Sequence, residues 1–259
     1  MPVKPILFEK VRSDLGNLEF DDCLPDYKLD LLNEIEPERF IVLGNQFFYL
    51  MDMQNYQCVM AHPNIKKILG YEQDEFKSFK ELFELVHPDD FDFVLAFSAK
   101  SIAYSREISN KSILSIDPYG ISFSIDHRMK KADGNYIRLN RQTICVKADR
   151  KGNMVYALAI FTDISHLNHK NYISCSWTGD ELGLFSIKDI QKDYLENRFT
   201  ARQIEIIKMF ADGLDGKTIG KKLYISEHTV ISHRKSILKK AGVSNTAELV
   251  KYGIDFGII

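Results

Sequence analysis

The sequence predicts an α+β chain: an antiparallel sheet with short helices, followed by an all-α domain of four short helices. Between positions 47 and 162 apolar residues recur with period two, in runs separated by Asn, Asp and Gly turns, as half-buried strands do. After residue 199 the period becomes that of helices, each opened by a capping side chain. Charge divides at the same place. From residue 199 onward ten cations face six anions, a balance of +4, whereas the first 198 residues carry 24 cations and 30 anions, a balance of -6.

Taken in order, residues 1–39 form an N-terminal extension containing Asp30-Leu31-Leu32-Asn33-Glu34-Ile35, an amphipathic stretch suited to covering a sheet. Positions 47–53 and 58–61 read as a hairpin around Gln54-Asn55-Tyr56. Short helical pieces follow through Ile68-Leu69-Gly70-Tyr71 and Leu82-Phe83. His87-Pro88-Asp89-Asp90 then opens a longer helix, with Pro88 at the first helical position and both carboxylates near the positive N-terminal dipole. Ile121, Phe123, Ile125 and Met129 alternate with Ser122, Ser124, Asp126 and Arg128, which gives a strand with one wet face. Asp133-Gly134 turns the chain into 136–145, and Lys151-Gly152-Asn153 turns it into 155–162. That last run is apolar on both faces, so it belongs at the centre of the sheet.

Two strands, short helices and three antiparallel strands over residues 40–166 resemble a PAS domain. The resemblance rests on Asn64-Ile65 with Leu69-Gly70-Tyr71, the step Val86-His87-Pro88-Asp89-Asp90, Arg128-Met129 with Asp133-Gly134-Asn135-Tyr136-Ile137, and the ending Phe161-Thr162-Asp163-Ile164. It implies a sensory or dimerisation domain with a small internal pocket, for which Phe48, Phe93, Phe97, Phe123 and His127 are the candidate lining residues. No cofactor is assigned. The Asn-Cys-Arg-Phe-Leu stretch of the flavin photoreceptors in that family is missing, and His87 and His127 read as a helix start and as a core or pocket histidine rather than as haem ligands. Cys23, Cys58, Cys145 and Cys175 are scattered without zinc or redox spacing, so reduced thiols are expected.

Residues 167–197 are too apolar for a free linker, with Trp177, Leu182, Leu184, Phe185 and Ile187, and read as a linker or strap packed on the sensory domain. Four helices then fill 198–259. Thr200 with Gln203 makes a capping box before Ile204, Ile207, Met209 and Phe210. Asp215 caps a helix with Ile219 and Leu223 inward, Ser226 caps the third, and Asn245 with Glu248 opens the last, backed by Ala247, Leu249 and Val250. Only Tyr224 and Ile225 separate the second helix from the cap of the third, which forces a steep crossing and makes a helix-turn-helix. In the third helix Val230, His233, Ile237 and Ala241 share one side, leaving His228, Ser232, Lys235 and Lys239 on the other.

The segment from Phe199 to about Tyr252 resembles the DNA-binding domain of LuxR-type transcription regulators. Thr200, Arg202, Gly213, Lys217, Ile225-Ser226, Thr229-Val230, His233-Arg234, Ile237-Leu238, Gly242-Val243 and Asn245 match in order and spacing. Gln203 stands where that family usually has Glu, and Ile231 where it often has Lys. The resemblance implies a DNA-binding surface of Lys217, His228, Thr229, Ile231, Ser232, Arg234, Lys235 and Lys239, and as partners a pseudo-palindromic duplex operator, a second copy of the chain and RNA polymerase. Ile231 either touches a thymine methyl group or packs inward.

The sequence has no glycine-rich phosphate loop, no G-x-S-x-G and no H-E-x-x-H, which argues against catalysis. It has no run of about 18 apolar residues and no signal-peptide core, so the cytoplasm is expected and a membrane is not. Adjacent antiparallel strands disfavour a phosphate-accepting receiver domain. Two alternatives stay open: a DNA-binding regulator whose PAS domain holds no ligand, and an interaction protein whose last helices serve only to dimerise.

Overall fold

The computed structural model describes residues 44–110, 120–149, 151, 153–167, 172–179 and 185–259. The amphipathic stretch at 30–35 and residues Leu182 and Leu184 lie outside them. The chain divides into two compact units, Met1–Leu167 with Cys175–Phe185, and Asn168–Ser174 with Ser186–Ile259. Among the described residues no helix is long and apolar enough to cross a membrane.

The first unit holds β1 (Gln46–Asp52), β2 (Gln57–Ala61), α1 (Asn64–Leu69), α2 (Phe79–Glu84), α3 (Pro88–Asn110), β3 (Ser122–Lys130), β4 (Tyr136–Ala148), β5 (Met154–Asp163) and β6 (Ser174–Thr178). Their order in the sheet is β2-β1-β5-β4-β3-β6. β1 pairs with β2 and β5, and β4 with β3 and β5, all antiparallel. That pattern is not the strand-helix alternation of a receiver domain. β5 is interior, as its two-sided apolar run requires. The sixth strand was not legible as one: the strap expected at 167–197 contributes β6 beside β3, while its remaining helix belongs to the second unit.

Side-chain alternation sets the faces. Phe47, Tyr49 and Met51 of β1 lie opposite Phe161, Ala159 and Ala157 of β5, and together with Ile65, Leu69 and Leu82 from the short helices they form the main core. α3 is tied to the sheet at its first turn. The buried Asp90 carboxylate accepts the backbone N–H of Arg128 at 3.0 Å, its Nε at 3.0 Å and its Nη2 at 2.6 Å. Burial alone would raise the Asp90 carboxyl, but the bonds from Arg128 outweigh it and hold the group below its ordinary value.

The second unit contains α4 (Lys188–Arg198), α5 (Ala201–Ala211), α6 (Gly216–Leu223), α7 (Glu227–Ala241) and α8 (Thr246–Asp255). α5 to α8 are the four helices expected, and α4 precedes them. Thr200, Asp215, Ser226 and Asn245 each accept a backbone N–H at the start of a helix, as their spacing predicts. The core is Ile206 and Ile207 of α5, Ile219 and Leu223 of α6, Val230, Ile237 and Ala241 of α7, and Leu249 and Tyr252 of α8. Ile206 was not among the expected inward residues, and Ala247, expected behind the last helix, is exposed. Tyr252 and Phe256 stack, Tyr172 meets both edge-on, and the Tyr172 hydroxyl donates to Asp255. The C-terminal aromatics are therefore consumed by packing within this unit.

Candidate nucleic-acid interface

α6 and α7 meet across a turn that depends on two backbone features. Tyr224, at the end of α6, takes a left-handed conformation with φ 55°, reversing the chain. Gly220 lets the helices approach closely, since a Cβ there would sit 2.8 Å from the Ile225 carbonyl oxygen. The Arg202 guanidinium donates to the Leu223 carbonyl at 2.7 Å, satisfying the end of α6 from α5. Gly242, with φ 70°, ends α7 and returns its N–H to the carbonyls of Leu238 and Lys239.

α7 is fixed by its apolar side. Val230, Ile237 and Ala241 are fully buried, each of the larger two contributing roughly 1.5–3 kcal/mol. The opposite side carries His228, Ile231, Ser232, Lys235 and Lys239, all exposed. With 3.6 residues per turn these five fall within an arc of about 100°. Among the described residues, the ammonium groups of Lys235 and Lys239 form no hydrogen bond or ion pair, so they face solvent as free cations. Ser232 donates to the His228 carbonyl at 3.0 Å. Ile231 is 41% exposed, which removes it from the core.

The other expected surface residues divide. Lys217 is exposed in the first turn of α6. Thr229 is half-buried, its hydroxyl 2.8 Å from that of Ser226 at the N-cap. Arg234 is also half-buried and donates through Nε and Nη2 to the Thr246 hydroxyl at 3.1 and 3.0 Å, bracing α7 against the start of α8. Gln203 repays its departure from the expected Glu. It closes the capping box with Thr200, donates to Ser236 at 3.2 Å and accepts from Lys240 Nζ at 2.8 Å.

In the first unit, a cavity of about 50 Å³ lies between the sheet and the helices, lined by Met51, Met53, Phe79, Leu82, Phe123, Met154 and others. Of the five aromatic and histidine candidates for a pocket, Phe123 lines it. Phe48 follows Phe47 on β1 and so points to the opposite face, where it meets His62. Phe97 packs edge-on against Phe123 and Phe185, and Phe93 is buried without lining the cavity. His127 is buried against Phe161, and burial, with the Arg141 charge second, lowers its pKa to about 3. It stays neutral at physiological pH. Burial pushes the thiols of Cys58 and Cys175 up to about 12, so both are protonated thiols.

Two family models match the chain. Residues 197–252 match bacterial regulatory proteins of the luxR family, and residues 59–161 match the PAS fold. Among curated proteins, the uncharacterized response regulatory protein YgeK of Escherichia coli is 38% identical over 63 residues, 24% of this chain and 43% of that protein. The transcriptional regulatory protein LnrK of Bacillus subtilis is 33% identical over 78 residues, 30% of this chain and 36% of that one. The chain thus spans less than half the length of these relatives. Among solved structures, the N-terminal domain of a diguanylate cyclase with a PAS/PAC sensor from Marinobacter aquaeolei covers 48% of this chain and 99% of its own at 22% identity, with TM-score 0.39. The phage VqmA–DPO complex covers 90% of both chains at 14% identity, with TM-score 0.35. This chain joins a PAS-fold domain to a C-terminal helix-turn-helix domain of the luxR family of bacterial regulatory proteins.

Proposed function

We propose that the protein is a sequence-specific DNA-binding transcription regulator of the cytoplasm, whose α7 enters the major groove and whose PAS-fold domain sets the DNA-binding equilibrium. The observation that carries this reading is the exposed face of α7, where two unpaired lysines about one turn apart share an arc with His228, Ile231 and Ser232 on a helix locked by its buried side. A helix so held presents its outward side chains in fixed register, as base-edge reading requires. Lys217, at the start of α6, is suited to a phosphate. Transcriptional regulators among the relatives support the same reading.

One short helix reads too few base pairs to select a site, so the protein acts as a homodimer on a pseudo-palindrome. Ile254 on α8 is 60% exposed and supports that helix as a contact between copies, whereas Tyr252 and Phe256 are already used within the chain. The decisive experiment is selection of bound duplexes from a genomic library by the full-length protein. Recovery of paired half-sites spaced by about one helical turn is expected. Retention of no duplex over nonspecific competitor would overturn the reading in favour of a protein-interaction role.

A further inference from the structure

The cavity in the PAS-fold unit is almost wholly apolar, yet a guanidinium stands in its wall. Arg141, on β4, projects from the covered face between Ile125 of β3 and Phe161 of β5, and is 8% exposed. Its Nη2 donates to the Ser98 hydroxyl of α3 at 2.7 Å, and that hydroxyl donates onward to the Val94 carbonyl at 2.6 Å. Its Nε has no hydrogen-bond partner, and among the described residues no carboxylate pairs with it. Burial lowers its pKa only to about 10, so at neutral pH it is a cation. The nearby His127 is held neutral, in part by the Arg141 charge, and supplies no negative charge in either protonation state. Thr143, the next inward-facing residue on β4, also lines the cavity. A buried charge with one neutral partner is costly, and it is retained where something else supplies the opposite charge.

We propose that the cavity is a binding site for a short-chain aliphatic monocarboxylate, whose carboxylate pairs with Arg141 while its alkyl end packs against Met51, Met53, Leu82, Phe123 and Met154. The planar fork of a guanidinium matches a carboxylate and supplies orientation as well as charge. Volume sets the length. At roughly 10–15 Å³ per water-sized group, about 50 Å³ admits three to five such groups; the carboxylate itself takes three, so the cavity fits an acid of about two to three carbons and excludes a ring system without rearrangement. This inference rests on the reading of the PAS-fold domain as the part that receives a signal, and supplies the chemistry of that signal.

The test is the melting temperature of the full-length protein with acetate, propionate and butyrate, against the matching neutral amides and chloride at constant ionic strength. A carboxylate at 100 times its Kd should raise the melting temperature of the PAS-fold transition by about 5–10 °C, with the amides and chloride at least tenfold weaker. Arg141→Met should lose the response while melting no lower without ligand, because it removes an unpaired buried charge. Ala159→Leu, which fills the cavity and keeps Arg141, should lose it too and carries the test if Arg141→Met fails to fold. Equal responses to the amides or to chloride, a response that survives both variants, or none to any carboxylate would overturn the proposal. Binding without any change in DNA affinity would uphold the site and count against the sensing reading alone.

Discussion

Replacing Lys235 and Lys239 together by Ala separates recognition from stability, because the structure gives these two lysines nothing to hold. Both are exposed, and neither forms a hydrogen bond or ion pair among the described residues. Truncating them should leave the melting temperature of the helix-turn-helix domain where it was, within the roughly 0.5 kcal/mol typical of surface substitutions. On DNA the expected losses are larger. A lysine that reaches a base edge is worth about 1–3 kcal/mol, so affinity for the selected operator should fall roughly 5- to 150-fold. A lysine that meets a phosphate instead reduces the slope of log K against log salt by about 0.9, so losing both in each protomer flattens it by up to about 1.8 per protomer.

Arg234→Ala is the contrasting control. It removes both bonds to Thr246, and charged hydrogen bonds of this kind are worth about 1.5–3 kcal/mol in total, so this variant should melt earlier whatever it does on DNA. Fluorescence anisotropy on the operator between 50 and 200 mM salt, with thermal melts of each variant, reads all these quantities. An unchanged affinity and salt slope in the Lys235→Ala, Lys239→Ala protein would refute the placement of α7 in the groove.

Three other outcomes follow from single contacts. Tyr224→Gly relieves a left-handed non-glycine residue whose side chain is 95% exposed, and should stabilise the domain by about 0.5–1 kcal/mol in a denaturant titration; a lower midpoint would mean that the ring packs somewhere after all. Asp90→Asn breaks the clamp between α3 and β3 and should cost about 2–4 kcal/mol at pH 7. Because the folded Asp90 has a lowered pKa, its contribution is complete above the ordinary value of about 4 and is lost as pH falls through the folded value, so the stabilities of wild type and variant should converge below about pH 4. A gap constant from pH 7 to pH 3 contradicts that assignment. Ile231→Lys should move the preferred base at one position of each half-site with little change in melting temperature, and identical selected sites would leave Ile231 outside the reading surface.

What the sequence disclosed and what it withheld divide along a physical line. Period-two alternation placed Phe123, Ile125 and Met129 on the buried face of β3, and caps placed the starts of α5 to α8, because strand pleat and N-cap geometry act over a few residues. β6 is not legible in the sequence because a strand of five residues beside β3 is specified by its partner and not by its own pattern. Aromatic content alone does not mark a cavity wall: Phe93 and Phe97 pack within the core, and Phe48 lies on the other face of its strand. Arg141, in turn, has no aromatic character to mark it. In the run Tyr136-Ile137-Arg138-Leu139-Asn140-Arg141, residue type does not tell the two arginines apart; only the alternation that Arg141 shares with Leu139 and Thr143 marks it as inward.

α3 shows how such long-range placement gives one helix three different attachments to the rest of its unit. Its first turn is held by charge, through Asp90 and Arg128. Its middle offers Ser98 to Arg141 at the cavity wall. Further along, Tyr104 packs edge-on against Phe123 at 6.2 Å and Phe185 at 5.1 Å, and Phe185 in turn meets Trp177 of β6 at 4.8 Å. An anion that draws Arg141 from Ser98 acts on the middle of a helix whose start is clamped, so the displacement it causes is taken up toward the aromatic end. Trp177 is the only tryptophan of the chain, which makes its emission a direct report on that end of α3. Carboxylate titration should therefore change Trp177 fluorescence in wild type but not in Arg141→Met. In Asp90→Asn the first turn is free to move as well, and the same occupancy should produce a smaller change.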